Sequence, residues 1–257
     1  MIVIKYCLRS RLSYIYLQKA DEIRFDYRDR ETIFDFVEKY PNKTFILFPG
    51  NEPFNWEEIR KYNSACQSNF VLNVRSVNEA ILAKENNIKF MLNYEATSYW
   101  DLEGLVNLGA EYAYVGIPLF FNLKNTLNYN IKLRAVPTVA YNHALSHNDG
   151  VCGQWIRPED VELYEDYIDV LEFEPCEIKR EQTLFIVYAE DKKFNTRLDI
   201  LVQDLGSNAI NRLIPPNLAE ARISCRQKCK TGSSCKLCYN ILSLANPDLI
   251  LPLIEKK

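Results

Sequence analysis

The sequence predicts a (β/α)8 TIM-like barrel with a small cysteine-rich appendage at its C-terminal end. Three observations carry that expectation. Short apolar, β-rich runs alternate with amphipathic helical stretches from Asp21 to Phe173, which means right-handed βαβ units and a parallel sheet. The length of 257 residues suits a fold that typically needs about 250. After Gly206 the alternation stops, and four cysteines crowd into Cys225–Cys238.

The elements follow in order. Ile2–Cys7 reads as the first strand, with Arg11–Ala20 as its helix. Ile23–Tyr27 is the next strand. Glu31–Tyr40 follows as a helix, because Ile33, Phe34, Phe36 and Val37 recur at helical spacing, and Pro41-Asn42 ends it. Thr44–Phe48 is a strand, Pro49-Gly50-Asn51 a turn and Trp56–Cys66 a helix. After the strand Phe70–Val74, Ser76 caps a helix with Glu79 in capping-box position, and Asn86-Asn87 breaks it. Lys89–Asn93 is a strand and Ser98–Leu108 a helix, with Gly109 where a helix C-terminal glycine belongs. Tyr112–Gly116 is a strand, Leu119–Leu127 a helix and Lys132–Val136 a strand.

The rhythm then breaks. Thr138–Arg157 is a long loop with Asn148-Asp149-Gly150 as a turn. Pro158 opens a helix at its first position, with Glu159 and Asp160 suited to the positive end of the dipole. It leads into the strand Ile168–Phe173. Thr183–Ala189 reads as a strand or as the start of a helix, and Asn195–Leu205 as a helix that Gly206 stops. Taking Ile2–Cys7 as the first strand completes eight and leaves Glu181–Leu205 for the closing helices. Thr183–Ala189 is the other source of the eighth strand. An open doubly wound sheet competes less well, because no Gly-x-Gly-x-x-Gly or Walker-type loop follows any strand. Residues 1–206 are thus expected to form the barrel, and residues 207–257 an appendage packed on it.

Bulk properties narrow the function classes. The formal net charge of −3 argues against non-specific nucleic-acid binding by the whole molecule, though not against a local basic patch. No apolar run approaches about 20 residues, so no membrane span is expected. The N-terminal run is too short for a signal peptide, and the eight cysteines then read as thiols and metal ligands of a cytoplasmic protein.

Cys225, Cys229, Cys235 and Cys238 pair as C-x3-C and C-x2-C around Lys-Thr-Gly-Ser-Ser. Four thiolates this close suit a tetrahedral metal, either a structural zinc or the iron of an iron–sulfur cluster. Binding of that metal would give the short appendage a fixed shape. Arg222, Arg226, Lys228, Lys230 and Lys236 surround the thiols. They would offset the thiolate charge, or contact phosphates of a nucleic acid.

A barrel's active site forms where its strands end. Polar residues recur there: Asp26 and Arg28, Asn51 and Glu52, Asn73 and Arg75, Asn93 and Glu95, Arg134, and Glu172 and Glu174. Glu52, Glu95 and Glu172 are the candidate acids and bases, and Arg28, Arg75 and Arg134 the candidate anchors for an anionic substrate. The long loop adds both histidines of the chain, His143 and His147, with Asp149 and Cys152 nearby. His143, His147 and a mouth carboxylate suit a second metal site, Cys152 with a histidine as base suits a nucleophile, and a solvated loop with two incidental histidines is the favoured reading.

Leu108-Gly-Ala-Glu-Tyr-Ala-Tyr-Val-Gly116 resembles the GADAVYVG segment of the U32 peptidase family. The resemblance implies a barrel with cysteines that can hold an iron–sulfur cluster, and links to RNA or quinone hydroxylation or to proteolysis. The cysteine spacing here departs from that family's arrangement, and no catalytic residue carries over. The expectation is therefore a metal-binding barrel enzyme acting on a small or anionic substrate at the C-terminal face. The alternative is a non-catalytic scaffold that meets a nucleic acid or an assembly through the basic knuckle.

Overall fold

Eight parallel strands close into a ring in the computed structural model, each hydrogen-bonded to its sequence neighbour and β1 to β8. The structure describes residues 4–67, 69–96, 99–115, 131–135, 156, 158–165, 167–173 and 178–192. The strands are β1 Lys5–Arg9, β2 Glu22–Asp26, β3 Thr44–Phe48, β4 Phe70–Val74, β5 Lys89–Ala96, β6 Tyr112–Val115, β7 Lys132–Ala135 and β8 Val170–Glu172. Helices α1 Tyr14–Lys19, α2 Ile33–Lys39, α3 Trp56–Ala65, α4 Val77–Glu85 and α5 Tyr99–Leu108 follow the first five strands. Helix α6, Ile178–Phe185, follows β8 and runs into a π-helical turn, Ile186–Asp191. Short 3-10 helices occupy Tyr27–Thr32 and Pro158–Tyr164.

Local chemistry sets these boundaries. Asn55 caps α3, its side-chain oxygen accepting from the backbone N–H groups of Glu57 and Glu58. Ser76 caps α4 by accepting from the Glu79 N–H at 3.2 Å. The Glu79 carboxylate does not return to Ser76 as a capping box would. It accepts from the N–H of Arg75 at 2.8 Å and from the Arg75 guanidinium. Gly109 ends α5 at φ +90, a conformation open to a residue without Cβ, and its N–H reaches the carbonyl of Val106 at 2.9 Å.

Several elements differ from expectation. The first strand is Lys5–Arg9 rather than Ile2–Cys7, displaced toward the point where Cys7 pairs with both Glu22 and Glu172. Thr183–Ala189 follows the helical one of its two readings and not the strand. It lies in α6 and the turn after it, where Phe185, Val187 and Tyr188 are buried in the core. Pro158 opens a 3-10 helix, not an α-helix. The helix expected from Glu31 begins at Ile33, after a 3-10 turn in which the Thr32 hydroxyl donates to the Asp29 carbonyl at 2.7 Å. The expected helices Leu119–Leu127 and Asn195–Leu205, and the whole appendage 207–257, lie outside the described residues.

Two apolar layers result. Outward-facing residues such as Leu8, Phe25, Phe45, Leu72 and Phe90 pack against the helices. Fully burying each such side chain contributes roughly 1.5–3 kcal/mol. Cys7, Ile46, Val71, Met91, Tyr112 and Val170 form a separate cluster inside the ring. Among the described residues, no helix is long and apolar enough to cross a membrane.

Candidate functional site

Inward-facing side chains of an eight-stranded barrel stack in layers of four, contributed by alternate strands. The register here, with a stagger of about one residue per strand, gives three. Glu22, Val71, Tyr112 and Val170 form the lower layer. Cys7, Ile46, Met91 and Arg134 form the middle one. Arg24, Asn73, Tyr114 and Glu172 form the upper one, next to the C-terminal mouth. The upper layer has no aliphatic member, and the charge inside the ring is concentrated there and directly beneath it.

One network links the layers. Arg134 is fully buried; its Nη1 donates to Glu22 at 2.5 Å, and its Nε and Nη2 donate to Glu172 Oε2 at 3.2 and 2.8 Å. Tyr112 donates to the other Glu22 oxygen at 2.8 Å, and Tyr114 donates to Glu172 Oε2 at 2.7 Å. Arg24 Nη1 donates to Glu172 Oε1 at 2.6 Å. Two buried arginines thus meet two buried carboxylates, and both carboxylates have both oxygens engaged. Burial alone would raise the Glu172 pKa, but the charges of Arg134 and Arg24 and the Tyr114 hydrogen bond outweigh it and hold the carboxyl below its ordinary value. Burial lifts the Tyr114 phenol well above its usual value, and the adjacent Glu172 charge adds to that. Cys7, between the arginines, is held as a neutral thiol chiefly by burial.

Two side chains of the upper layer are not satisfied. Arg24 Nε and Nη2 and both polar atoms of the Asn73 amide are buried with no hydrogen-bond partner among the described residues. Phe48 lies against the Arg24 guanidinium, 4.7 Å from ring centroid to Cζ. At the β1 end, Arg9 pairs with Glu181 of α6 through its side chain, and its backbone N–H donates to the same carboxylate at 2.9 Å. Burial raises the Glu181 pKa above the ordinary value, against the opposing pull of Arg9 and Arg24. Glu181 is therefore a carboxyl near Arg24 that holds its proton to higher pH than a free one.

The residues expected to act divide into separate places. Glu172 and Arg134 are brought together, deep in the ring. Arg75 lies outside it, engaged by Glu79 and by the carbonyls of Gly50 and Glu52, at 3.2 and 3.1 Å. Glu52 is exposed in the turn after β3. Arg28 is exposed and meets Asp26 at 3.4 Å. Glu95 is on β5, with its side chain outside the described residues. His143, His147, Asp149, Cys152 and the four clustered cysteines Cys225, Cys229, Cys235 and Cys238 also lie outside them. Among the described residues, no group of three or more His, Cys, Asp or Glu side chains is placed to hold a metal ion.

Sequence reasoning did not single out Glu22, Arg24, Tyr112, Tyr114, Arg9 or Glu181. A signal for the first two exists. A strand buried on both faces reads as a continuous apolar run. Glu22-Ile-Arg-Phe-Asp26 instead alternates charged and apolar residues, which puts the charges on the inner face.

No family model matches the chain and no curated protein matches it, so the resemblance to U32 peptidases stands on residues 108–116 alone. Among solved structures, the chain is similar to monomers generated from the dimeric phosphoribosylanthranilate isomerase of Thermotoga maritima. Identity is 12%, the match covers 74% of this chain and 98% of that one, and the TM-score is 0.49. A likeness this distant bears on neither substrate nor reaction.

Proposed function

We propose that the chain is a barrel enzyme that takes a small anionic substrate at its C-terminal face, with Arg24 as the anion anchor. One observation carries this reading: a buried guanidinium that, among the described residues, spends only one nitrogen on a carboxylate. Leaving buried donors unpaired costs about 1–3 kcal/mol. Such groups are retained where a ligand uses them. Glu172 is the fixed counter-ion of this site and not its acid or base, since two arginines hold it ionised. Glu181, whose two oxygens both accept from Arg9, is the counter-ion of that arginine.

The four cysteines 225, 229, 235 and 238 are proposed to bind a structural zinc, with an iron–sulfur cluster as the other possibility. Metal analysis and an absorption spectrum on protein purified without oxygen separate the two.

Anion binding is tested by thermal denaturation against a panel of small carboxylates and phosphates. Wild-type protein is expected to gain stability with at least one of them, and Arg24→Met to gain none. A panel without effect on the wild type, or an equal response from Arg24→Met, refutes the reading.

A further inference from the structure

We infer that Arg24 and Asn73 form a two-point subsite for a small monocarboxylic acid carrying a hydroxyl group beside its carboxylate. This deepens the proposed anion site and rests on it.

The Arg24 guanidinium is restrained on two sides. Nη1 is held by Glu172, and Phe48 covers one face. What is left is the edge formed by Nε and Nη2, whose N–H groups run side by side and match the two oxygens of a carboxylate. The same edge shows its preference elsewhere in this chain. Arg11 uses Nε and Nη2 to grip the two oxygens of Asp29, each at 2.7 Å. Glu172 cannot serve Arg24 in this way. Its Oε1 takes Nη1, and its Oε2 already receives Arg134 and Tyr114.

Charge selects among anions. Arg24 and Arg134 are balanced by Glu22 and Glu172, and Arg9 by Glu181. With those charges balanced among the described residues, any bound anion adds excess negative charge, and a single charge costs least to bury. A phosphate dianion would bury a second charge without a counter-ion, at a desolvation cost that grows steeply with charge.

Asn73 supplies the second point. It stands in the same layer as Arg24, fully buried, with its amide oxygen and nitrogen both lacking a partner among the described residues. The group that satisfies both must donate and accept. A hydroxyl does so, giving its hydrogen to Oδ1 and taking one from Nδ2. Methyl or methylene groups do neither.

The test titrates the full-length protein with glycolate, acetate and inorganic phosphate, by calorimetry, in the wild type, Arg24→Lys and Asn73→Leu. Glycolate is expected to bind the wild type about tenfold more tightly than acetate, the worth of a hydrogen-bonded hydroxyl. Phosphate should bind more weakly than glycolate. Asn73→Leu should bring glycolate down to the acetate affinity, and Arg24→Lys, which keeps the charge and loses the fork, should weaken both. Equal affinities for glycolate and acetate in the wild type overturn the hydroxyl point, and tighter binding of phosphate overturns the carboxylate assignment; neither outcome touches the anion-binding mouth. Discrimination that survives unchanged in both folded variants overturns the location. No binding of any of the three to the wild type overturns the subsite, and a panel that is silent as well removes the mouth reading with it. The three-anion comparison on wild-type protein decides the ligand class even where a variant fails to fold.

Discussion

Arg134 and Arg24 occupy adjacent layers of one barrel interior and share Glu172, yet they are used differently. Arg134 places all three nitrogens on carboxylates and is fully buried. Arg24 is just as enclosed, at 3% exposure, and among the described residues places one. The first pattern is that of a structural pin, because a buried charge tolerates its surroundings only when every donor is met. The second is that of a receptor. Within one network, the count of satisfied donors separates what holds the ring together from what is left to meet something else.

Substitutions test that division. Arg134→Met should cost about 3–5 kcal/mol in urea denaturation, since it deprives Glu22 and Glu172 of a buried arginine that both of them accept from. Tyr112→Phe and Tyr114→Phe each remove a hydrogen bond to a buried carboxylate and should cost about 1.5–3 kcal/mol. Arg24→Met should cost less than Arg134→Met, about 1–3 kcal/mol, because Glu172 Oε1 loses Arg24 while Oε2 keeps Arg134 and Tyr114 and two unpaired nitrogens disappear. A loss from Arg24→Met equal to that from Arg134→Met would erase the distinction.

The two buried carboxyls give the subtlest readout. The Glu172 pKa is lowered on folding. Its contribution is complete above the unfolded value of about 4.3 and is lost as pH falls through the lower folded value. The Glu181 pKa is raised. Its contribution is complete below about 4.3 and is lost as pH rises through the higher folded value. Glu181→Gln should therefore flatten the decline of the melting temperature on the alkaline side of that range and leave the acid side unchanged.

The barrel was legible because its signals are local. Ser76 three residues before Glu79, Gly109 after α5 and the apolar runs Thr44–Phe48 and Phe70–Val74 each report on their own segment. The site was legible only in part. Glu172 and Arg134 stood out as polar residues at strand ends, but so did Arg28 and Glu52, which the fold leaves in solvent. Which strand-end charge turns inward depends on the register between strands distant in sequence. Arg24 reaches Glu172 only because β2 and β8 both flank β1. Glu181 was invisible for a related reason: it read as the start of the closing helices Glu181–Leu205, and its partner Arg9 lies at the other end of the barrel sequence.

The pairing of Lys5 with Val170 has a further consequence, for the way the chain must assemble. The first strand of the barrel is also the last to gain its second neighbour. Until β8 exists, the open edge of β1 exposes unpaired backbone groups to any other strand that passes. Closure across so long a stretch of chain is slow, because the entropy of the intervening loop is lost before the contact forms. The charges delivered by that final step, Glu172 among them, enter the interior only as the ring shuts.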